Sequence, residues 1–217
     1  MLVDLHCHTT RSQDSRLSPE LAIAAARAAG LDAVCLTEHD DLWAPGETQD
    51  LSAATGFPVF AGVEVSTEIG HVLAFGLGGF DLGLRSFPAL VTRARESGAA
   101  LVLAHPYRRR FRFEVPAVLT GPDIEAALGR RGLADVAAVD AGNGGTRPVE
   151  NRLAAEVAAR RGLPTTAGSD AHAPERGGIW ATEVDDGVRD SRDLAAAIAE
   201  GGVRSVLIND RGGREGR

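Results

Sequence analysis

Short apolar runs that end in polar residues alternate with alanine-rich amphipathic runs along most of this chain. This alternation is typical of an α/β fold with mostly parallel strands and helices between them. The apolar runs predict strands at Leu2–Leu5, Ala33–Thr37, Pro58–Val65, His71–Phe75, Ala100–Ala104, Val136–Val139 and Thr165–Ala167. About seven such strands indicate a barrel that is closed or nearly closed.

Helix signals lie between these strands. Ser18 begins the first helix, because its hydroxyl can satisfy free amides and Pro19 at the first helical position has no amide to lose. Gly30 ends it, since glycine readily adopts the left-handed conformation. Further helices are predicted around Phe87–Ser97, Pro122–Arg130, Pro148–Arg161 and Ser191–Glu200, and a last apolar run follows at Val203–Ile208.

The length of 217 residues and the hydrophobic content of 44% fit one domain with a single core. We therefore predict one domain over residues 1–208. The remaining sequence, NDRGGREGR, is too rich in glycine and charge to bury a core. A flexible C-terminal tail is therefore predicted over residues 209–217.

The formal net charge of −7 argues against a broad basic surface for long nucleic acids or acidic membranes. An anionic substrate must then be attracted locally. No apolar run approaches membrane-spanning length, and the N-terminus lacks the basic and apolar segments of a signal peptide. Cys7 and Cys35 lie far apart in apolar runs, which fits reduced thiols. We therefore expect a cytoplasmic protein with no membrane partner.

The chain contains no lysine, so all 23 residues counted as Lys+Arg are arginines. This excludes Schiff-base chemistry on lysine, a Walker-type phosphate loop and a metal bridge made by a carboxylated lysine. Barrels of the amidohydrolase type share a His-x-His start but commonly depend on that bridge. The absence of lysine therefore argues against such a barrel.

Histidines mark the ends of the predicted strands. The six histidines of the chain, nearly all of them at strand ends, are His6, His8, His39, His71, His105 and His172. In α/β barrels the carboxyl ends of the strands surround the active site, so residues at those ends converge although they are distant in sequence. Scattered surface histidines would not follow this pattern.

The spacing of these residues suits metal ligands. His6 and His8 are two residues apart, which on an extended strand turns both imidazoles to one face. Asp170 and His172 repeat this spacing after the last predicted strand of the barrel. Glu64 lies in an apolar strand and needs a partner to remain charged when buried. A metal ion is such a partner.

Several motifs together carry a family resemblance. In chain order they are DLHCHTTRSQDSRLSPE, LTEHD, GVEVST, the histidine of GHVLAFG, LAHPYR and TAGSDAHAPERGG, and they run from Asp4 to about Gly178. In identity and order they resemble the PHP family, the polymerase and histidinol phosphatase domain. The resemblance implies a distorted (β/α)7, TIM-barrel-like fold that holds a trinuclear metal centre at its strand ends.

The resemblance also implies a set of metal ligands. They are His6, His8, Glu64 and Asp170 for the first ion, Glu64, His71 and His105 for the second, and Asp14, His39 and His172 for the third. We therefore expect two to three divalent ions. Asp14 favours manganese, iron or magnesium at its site, because an oxygen ligand is harder than imidazole. Zinc also suits the histidine-rich sites.

The activity implied by the resemblance is hydrolysis of a phosphoric ester. A hydroxide that bridges two metal ions would attack phosphorus, and the predicted catalytic residues are Glu64, Asp170 and His172. The metal ions leave the centre positive and so attract phosphate to an acidic protein. We predict substrate contacts from Arg108 and Arg176, whose guanidinium groups fit phosphate oxygens, and from Asn143.

Three functions stay open at this point. The first is hydrolysis of a small phosphomonoester, a nucleotide or a phosphorylated metabolite. The second is a phosphodiesterase or exonuclease activity on short oligonucleotides, for which a base would stack on Tyr107 or Phe111. The third is binding of metal and a phosphorylated ligand without turnover. The expected partner is a small phosphorylated substrate and not a long nucleic acid, and the oligomeric state stays open.

Overall fold

The computed structural model describes residues 1–111, 115–116, 118–173 and 179–208. The strands are β1 (Leu2–Cys7), β2 (Ala33–His39), β3 (Val59–Thr67), β4 (Gly70–Phe75), β5 (Ala100–Leu103), β6 (Ala138–Asn143), β7 (Thr165–Gly168), β8 (Trp180–Glu183) and β9 (Arg204–Leu207). The helices are α1 (Pro19–Ala28), α2 (Pro45–Thr55), α3 (Phe87–Ser97), α4 (Gly121–Leu128), α5 (Pro148–Arg161) and α6 (Ser191–Ala199), with a 3-10 turn at Leu82–Arg85. Residues 209–217, the predicted tail, lie outside the described residues.

The sheet closes around most of a barrel. Its nine described strands follow the order β7-β6-β5-β4-β3-β2-β1-β8-β9. Beyond β7 the chain meets β1 again, where the His8 amide donates to the Ala171 carbonyl at 3.1 Å. Gly168 permits this approach, because a Cβ atom there would lie 2.4 Å from the His6 amide nitrogen. The predicted distorted, TIM-barrel-like fold is confirmed, with nine strands in place of seven.

Two described strands of the sheet, β4 and β8, run antiparallel to both of their neighbours. β1, β2 and β3 are parallel, and so are β5, β6 and β7, but β4 is antiparallel to both β3 and β5. Glu68 and Ile69 form the tight turn between β3 and β4, so no helix separates these strands. The start of β4 therefore lies at the end of the barrel where the parallel strands finish.

We call the end of the barrel where β1, β2 and β3 begin the lower end, and the interior near this end is apolar. Phe60, Phe75 and Val102 are buried there together with Leu5 of β1. Leu194 and Ile198 of α6 pack against the same cluster and cover the bottom of the barrel. The histidines lie at the opposite, upper end, where β1 and β2 finish.

A register shift in β1 directs its histidines toward that end. Between Asp4 and Cys7 the strand gains one residue relative to β2. Leu5 packs in the lower core, whereas the next residue, His6, faces the polar end, and Cys7 packs outward under α1. An extra residue changes which side chains face inward, as β-bulges commonly do beside active sites.

Most predicted elements are confirmed, with three corrections. The bounds of α3 and α5 match the prediction, and the Ser18 hydroxyl accepts a hydrogen bond from the Leu21 amide as the first cap. The strand predicted at Val136–Val139 instead spans Ala138–Asn143, and the helix predicted at Pro122–Arg130 spans Gly121–Leu128. The third correction is that α2 and β8 were absent from the prediction.

The reason α2 escapes the sequence pattern is its composition. Thr48 is its one buried residue, so the helix has no apolar stripe to recognise. It is defined instead by its ends: the Glu47 carboxylate accepts from the Ala44 amide at 2.8 Å, and Gly56 ends the helix at a φ of 61°. No helix in the described part of the chain is long and apolar enough to span a membrane.

Candidate metal centre

All six histidines converge at the upper end of the barrel. His6 and His8 come from the end of β1, His39 ends β2, His71 lies at the start of β4, His105 follows β5, and His172 follows β7. Their rings form a continuous cluster with centroid separations of 4.3 to 5.8 Å. His71 joins although it begins its strand, because β4 is antiparallel.

Glu64 lies at the middle of this cluster and is fully buried. Both of its carboxylate oxygens face imidazole nitrogens. Oε1 lies 2.8 Å from His71 Nδ1 and 2.9 Å from His105 Nε2. Oε2 lies 3.1 to 3.2 Å from His6 Nε2, His8 Nε2 and His39 Nδ1. One carboxylate therefore reaches ligands predicted for different ions.

These atoms fit a cation better than they fit one another. Glu64 Oε2 is buried and has no hydrogen-bond partner within the described structure. His6 Nε2 and His8 Nε2 face each other at 3.1 Å, where at most one of them can donate a proton. An unpaired carboxylate oxygen and converging imidazole lone pairs are the donors that divalent transition metals prefer. The residues present fit a metal centre.

Among the described residues there are four groups of three candidate ligands, and within each group the donor atoms lie within 4.8 Å of one another. They are His6, His8 and Asp170; His6, Glu64 and His105; His39, Glu64 and His71; and His8, His39 and His172. Asp14, whose side chain is 58% exposed, lies beside the last set, with Oδ2 3.4 Å from His39 Nε2 and 3.3 Å from His172 Nε2. All nine predicted ligands are thus close together, and their assignment to individual ions stays a prediction.

Asp170 and His172 reach the cluster by a turn and not by the extended strand that their spacing suggested. β7 ends at Gly168, and Asp170 has a φ of 50°. The Asp170 amide donates to the His6 carbonyl at 2.6 Å, which holds the turn against β1. Asp170 Oδ1 then lies 3.4 Å from His8 Nε2 and 3.7 Å from His172 Nδ1.

Burial and neighbouring charges shift the pKa values of the clustered histidines in different directions. Burial lowers the pKa of His39 and of His105 to about 4, so both rings are neutral at neutral pH, as metal ligands must be. For His6, burial is outweighed by the charges of Glu64 and Asp140, and the pKa rises to about 9. Glu64 has a pKa well below its usual range, because His6 and the hydrogen bonds of the other imidazoles outweigh burial. A bound metal would take the place of this His6 proton.

The sequence analysis missed three buried acids around the ligands. Asp140 Oδ2 lies 3.3 Å from His6 Nδ1, and Asp4 Oδ1 accepts from the His6 amide at 3.1 Å. Glu38 is fully buried one residue before His39. Each lies in an otherwise apolar strand, which is the signal that pointed to Glu64 and would also have found these acids.

A cavity of about 470 Å³ opens beside the candidate ligands Asp170 and His172. Four arginines line it, namely Arg16, Arg108, Arg109 and Arg147. Arg108 contacts the Asp170 carboxylate directly through Nη2. The predicted role of Arg108 in binding substrate stays a prediction, and it now has a location at the mouth of the site. Arg176 lies outside the described residues.

Asn143 and Tyr107, which were predicted to contact substrate, are both buried. Asn143 is fully buried; its Oδ1 accepts from Arg108 at 2.9 Å and its Nδ2 donates to Asp140 at 3.0 Å. Its amide therefore holds protein groups, and contact with substrate stays a prediction. Tyr107 is 4% exposed and its hydroxyl donates to the Ala127 carbonyl at 2.9 Å, so the expectation that a base stacks on Tyr107 is wrong.

Known families and proteins match this chain in sequence. A family model described as PHP domain matches residues 4–112, and a model described as PHP-associated matches residues 148–203. A 5'-3' exoribonuclease of Haemophilus influenzae is 38% identical over 64 residues, which are 30% of this chain. The match covers only 23% of the length of that exoribonuclease.

Solved structures share the fold. A two-domain protein from Bacteroides vulgatus, containing a predicted PHP-like metal-dependent phosphoesterase, is similar with a TM-score of 0.65 and 18% identity, over 96% of this chain and 65% of that protein. PsfC from Pseudomonas syringae is similar with a TM-score of 0.64 and 21% identity, over 97% of this chain and 92% of PsfC. At these identities the likeness is one of fold.

Proposed function

This chain belongs to the PHP domain family of metal-dependent phosphoesterases, and we propose that it hydrolyses a small phosphomonoester, a nucleotide or a phosphorylated metabolite. The observation that carries this proposal is the position of Glu64, a buried carboxylate with five imidazoles around its two oxygens. Such a carboxylate is suited to bridge two cations. A phosphoryl group held between two cations is a recognised arrangement for ester hydrolysis.

Different residues around Glu64 would hold different ions. His6, His8 and Asp170 would hold one ion, and Glu64 would share it with a second ion beside His71 and His105. When bound, divalent metals lower the pKa of coordinated water and stabilise charge on phosphoryl oxygens. The neutral rings of His39 and His105 are ready to bind without losing a proton. Asp14 and His172 lie at the open side, where a third ion or the substrate would enter.

The arginines at the mouth support an anionic substrate. The whole chain carries a net charge of −7, yet Arg16, Arg108 and Arg109 line the same cavity as the ligands. The Arg108 side chain is 28% exposed and contacts Asp170, so it can also reach a group bound beside that carboxylate. Guanidinium groups bind phosphate oxygens in a forked geometry. The carboxylates of Asp14, Glu150 and Asp170 line the same cavity, and the arginines beside them could bind the oxygens of a phosphoric ester there.

A second candidate function follows from the sequence match to the exoribonuclease of Haemophilus influenzae. It is hydrolysis of a phosphodiester at the end of a short oligonucleotide. The buried position of Tyr107 excludes one of the two aromatic residues on which a base was predicted to stack, and the partly buried Phe111 is the one that remains. The two functions share the metal centre and differ in the leaving group.

The test combines elemental analysis of the purified protein with phosphate release from phosphomonoesters, phosphodiesters and short oligonucleotides. Each assay is run with manganese, zinc or magnesium and repeated after chelation. We expect two to three bound ions and metal-dependent release from monoesters. Release of mononucleotides from oligonucleotides, with monoesters untouched, would establish the second function. Bound metal without turnover would indicate a binding protein, and absence of bound metal would overturn both proposals.

A further inference from the structure

Glu38 is a buried carboxylate to which the proposed reaction gives no task. It is fully buried, and its neighbours donate to it from several directions. Oε1 accepts from the Thr9 hydroxyl at 2.6 Å and from Trp43 Nε1 at 2.9 Å. Oε2 accepts from the Thr9 amide at 3.0 Å and from the Ser12 hydroxyl at 2.6 Å. Glu38 therefore acts as the acceptor in each of these hydrogen bonds.

Ser12 connects this carboxylate to two of the candidate ligands. The single hydroxyl proton of Ser12 is directed to Glu38, so Ser12 Oγ can only accept from its other neighbours. It accepts from the His39 amide at 3.0 Å and lies 3.4 Å from His8 Nδ1. A hydrogen bond between Ser12 Oγ and His8 Nδ1 would then need the His8 proton on Nδ1. The lone pair of His8 Nε2 is then directed to the metal side, where Asp170 Oδ1 lies at 3.4 Å.

Asp140 contacts Nδ1 of His6 directly, without an intervening side chain such as Ser12. Its Oδ2 accepts from Asn143 Nδ2 at 3.0 Å and from the His105 amide at 3.2 Å, and it lies 3.3 Å from His6 Nδ1. A proton on His6 Nδ1 leaves Nε2 free to bind a metal. His6 Nε2 is the atom that lies 3.2 Å from the unpaired Glu64 Oε2.

We propose that Glu38, acting through Ser12, and Asp140 are positioning residues for the metal centre. They hold the protons of His8 and His6 on Nδ1 and present both Nε2 atoms to the same ion. Outer partners of this kind orient imidazole ligands and raise their basicity. The proposal rests on the metal centre but not on the identity of the substrate, so a wrong substrate class leaves it intact.

The first test uses Glu38→Gln. The amide of glutamine can donate to Ser12, whose hydroxyl then turns to donate to His8 Nδ1, and the His8 proton moves to Nε2. We expect zinc affinity, measured by competition with a chromogenic chelator, to fall roughly 10- to 100-fold. In zinc-loaded protein, nitrogen-15 spectra of the imidazoles should show His8 changing from the Nδ1-protonated, Nε2-bound pattern. An unchanged His8 pattern would overturn the Glu38 arm.

A double-mutant cycle with Ser12→Ala tests whether Glu38 acts through Ser12. Ser12→Ala removes the connection, so Glu38→Gln should change zinc affinity by less than about threefold in that background. Full, additive losses would contradict the connection. Ser12→Ala also serves alone if Glu38→Gln does not fold, because it should lower zinc affinity without the same loss of a buried carboxylate; wild-type affinity in Ser12→Ala would refute the proposal.

Asp140→Asn tests the second arm and has a different expected signature. The remaining amide oxygen can still accept from His6 Nδ1, so the His6 pattern should persist while zinc affinity falls roughly tenfold with the lost charge. The control for both acids is Asp190→Asn, which likewise replaces a carboxylate by its amide, here at the N-cap of α6. It should alter thermal stability and leave zinc affinity unchanged. A loss in the control equal to that in Asp140→Asn would show that general destabilisation, and not positioning, is being measured.

Discussion

At the scale of single residues, Glu64 illustrates how one side chain makes a cluster of histidines into a site. Five imidazole nitrogens lie within 3.2 Å of its two oxygens. A buried carboxylate without compensation is costly, and the imidazoles alone leave Oε2 without a hydrogen bond. The position of Glu64 therefore suits binding to a cation and does not by itself stabilise the core.

We expect Glu64→Gln to lower both metal content and turnover. The amide keeps the shape of the side chain but removes the charge that would bridge two ions, so turnover should fall by at least roughly 100-fold. Elemental analysis and phosphate release on the same preparation measure the two effects. Glu183→Gln on β8, 45% exposed and paired with Arg204, is the matched control. Wild-type turnover in Glu64→Gln would contradict the bridging role.

Asp4 shows a different consequence of burial. Burial raises its pKa from 3.8 to about 6, although hydrogen bonds from the Ser169 and His6 amides act in the opposite direction. The folded protein thus holds this proton more tightly than the unfolded chain. The contribution of Asp4 to stability is complete below about pH 3.8 and is lost as the pH rises through about 6.

Asp4→Asn should remove this dependence while keeping the acceptor for the His6 amide. In chelator-treated protein at pH 7, we expect the variant to be more stable than wild type by up to roughly 3 kcal/mol, and the difference to vanish near pH 4. Urea unfolding across this pH range measures it. A difference between variant and wild type that does not change with pH would show that Asp4 has an ordinary pKa.

At the scale of elements, the contact between β1 and the segment after β7 determines where four of the nine candidate ligands lie. His6 and His8 come from β1, and Asp170 and His172 come from the turn after β7. Contact between these segments depends on Gly168, where a side chain would collide with backbone and not with a flexible group. The barrel closure and the metal centre are therefore one structural feature.

Gly168→Ala should destabilise the protein by roughly 1 to 3 kcal/mol, the usual cost of overpacking. Because the collision is with the His6 amide, metal affinity should fall as well. Gly79→Ala is the control, since a Cβ atom there meets nothing within 4 Å. Chemical unfolding and chelator competition report the two effects. Stability and affinity equal to those of Gly79→Ala would show that the closure tolerates a wider spacing.

At the scale of the whole molecule, we expect metal binding and folding to be coupled, because the candidate ligands come from β1 to β4, the loops after β1 and β5 and the turn after β7. No such arrangement survives in the unfolded chain, so bound metal stabilises the folded state by mass action. With metal at about 100 times its dissociation constant, one site contributes roughly 2.7 kcal/mol.

Chelation should therefore lower the Tm by roughly 5 to 10 °C for a chain of this size, and added zinc or manganese should restore it. Differential scanning calorimetry measures the shift. In Glu64→Gln the shift should be much smaller, since fewer ions bind. An equal shift in both proteins would place the stabilising metal elsewhere in the molecule.

The sequence by itself determined the class of fold, the chemistry of the ligands and most helix ends. Alternating apolar runs, the Ser18 cap and the histidines after strands are local signals, because backbone conformation and burial period depend on neighbouring residues. The absence of lysine also excluded mechanisms that need a lysine, and the net charge of −7 argued against a long nucleic acid as partner.

Only the tertiary structure decided which groups act together. The direction of β4 brings His71 into the centre, the register shift in β1 turns His6 inward, and Asp140 meets His6 across 134 residues of sequence. The helix α2 and the strand β8 were also missed, since neither carries a long apolar pattern. Strand direction, register and second partners depend on contacts between distant segments, and a local pattern of hydrophobic and polar residues holds no information about those contacts.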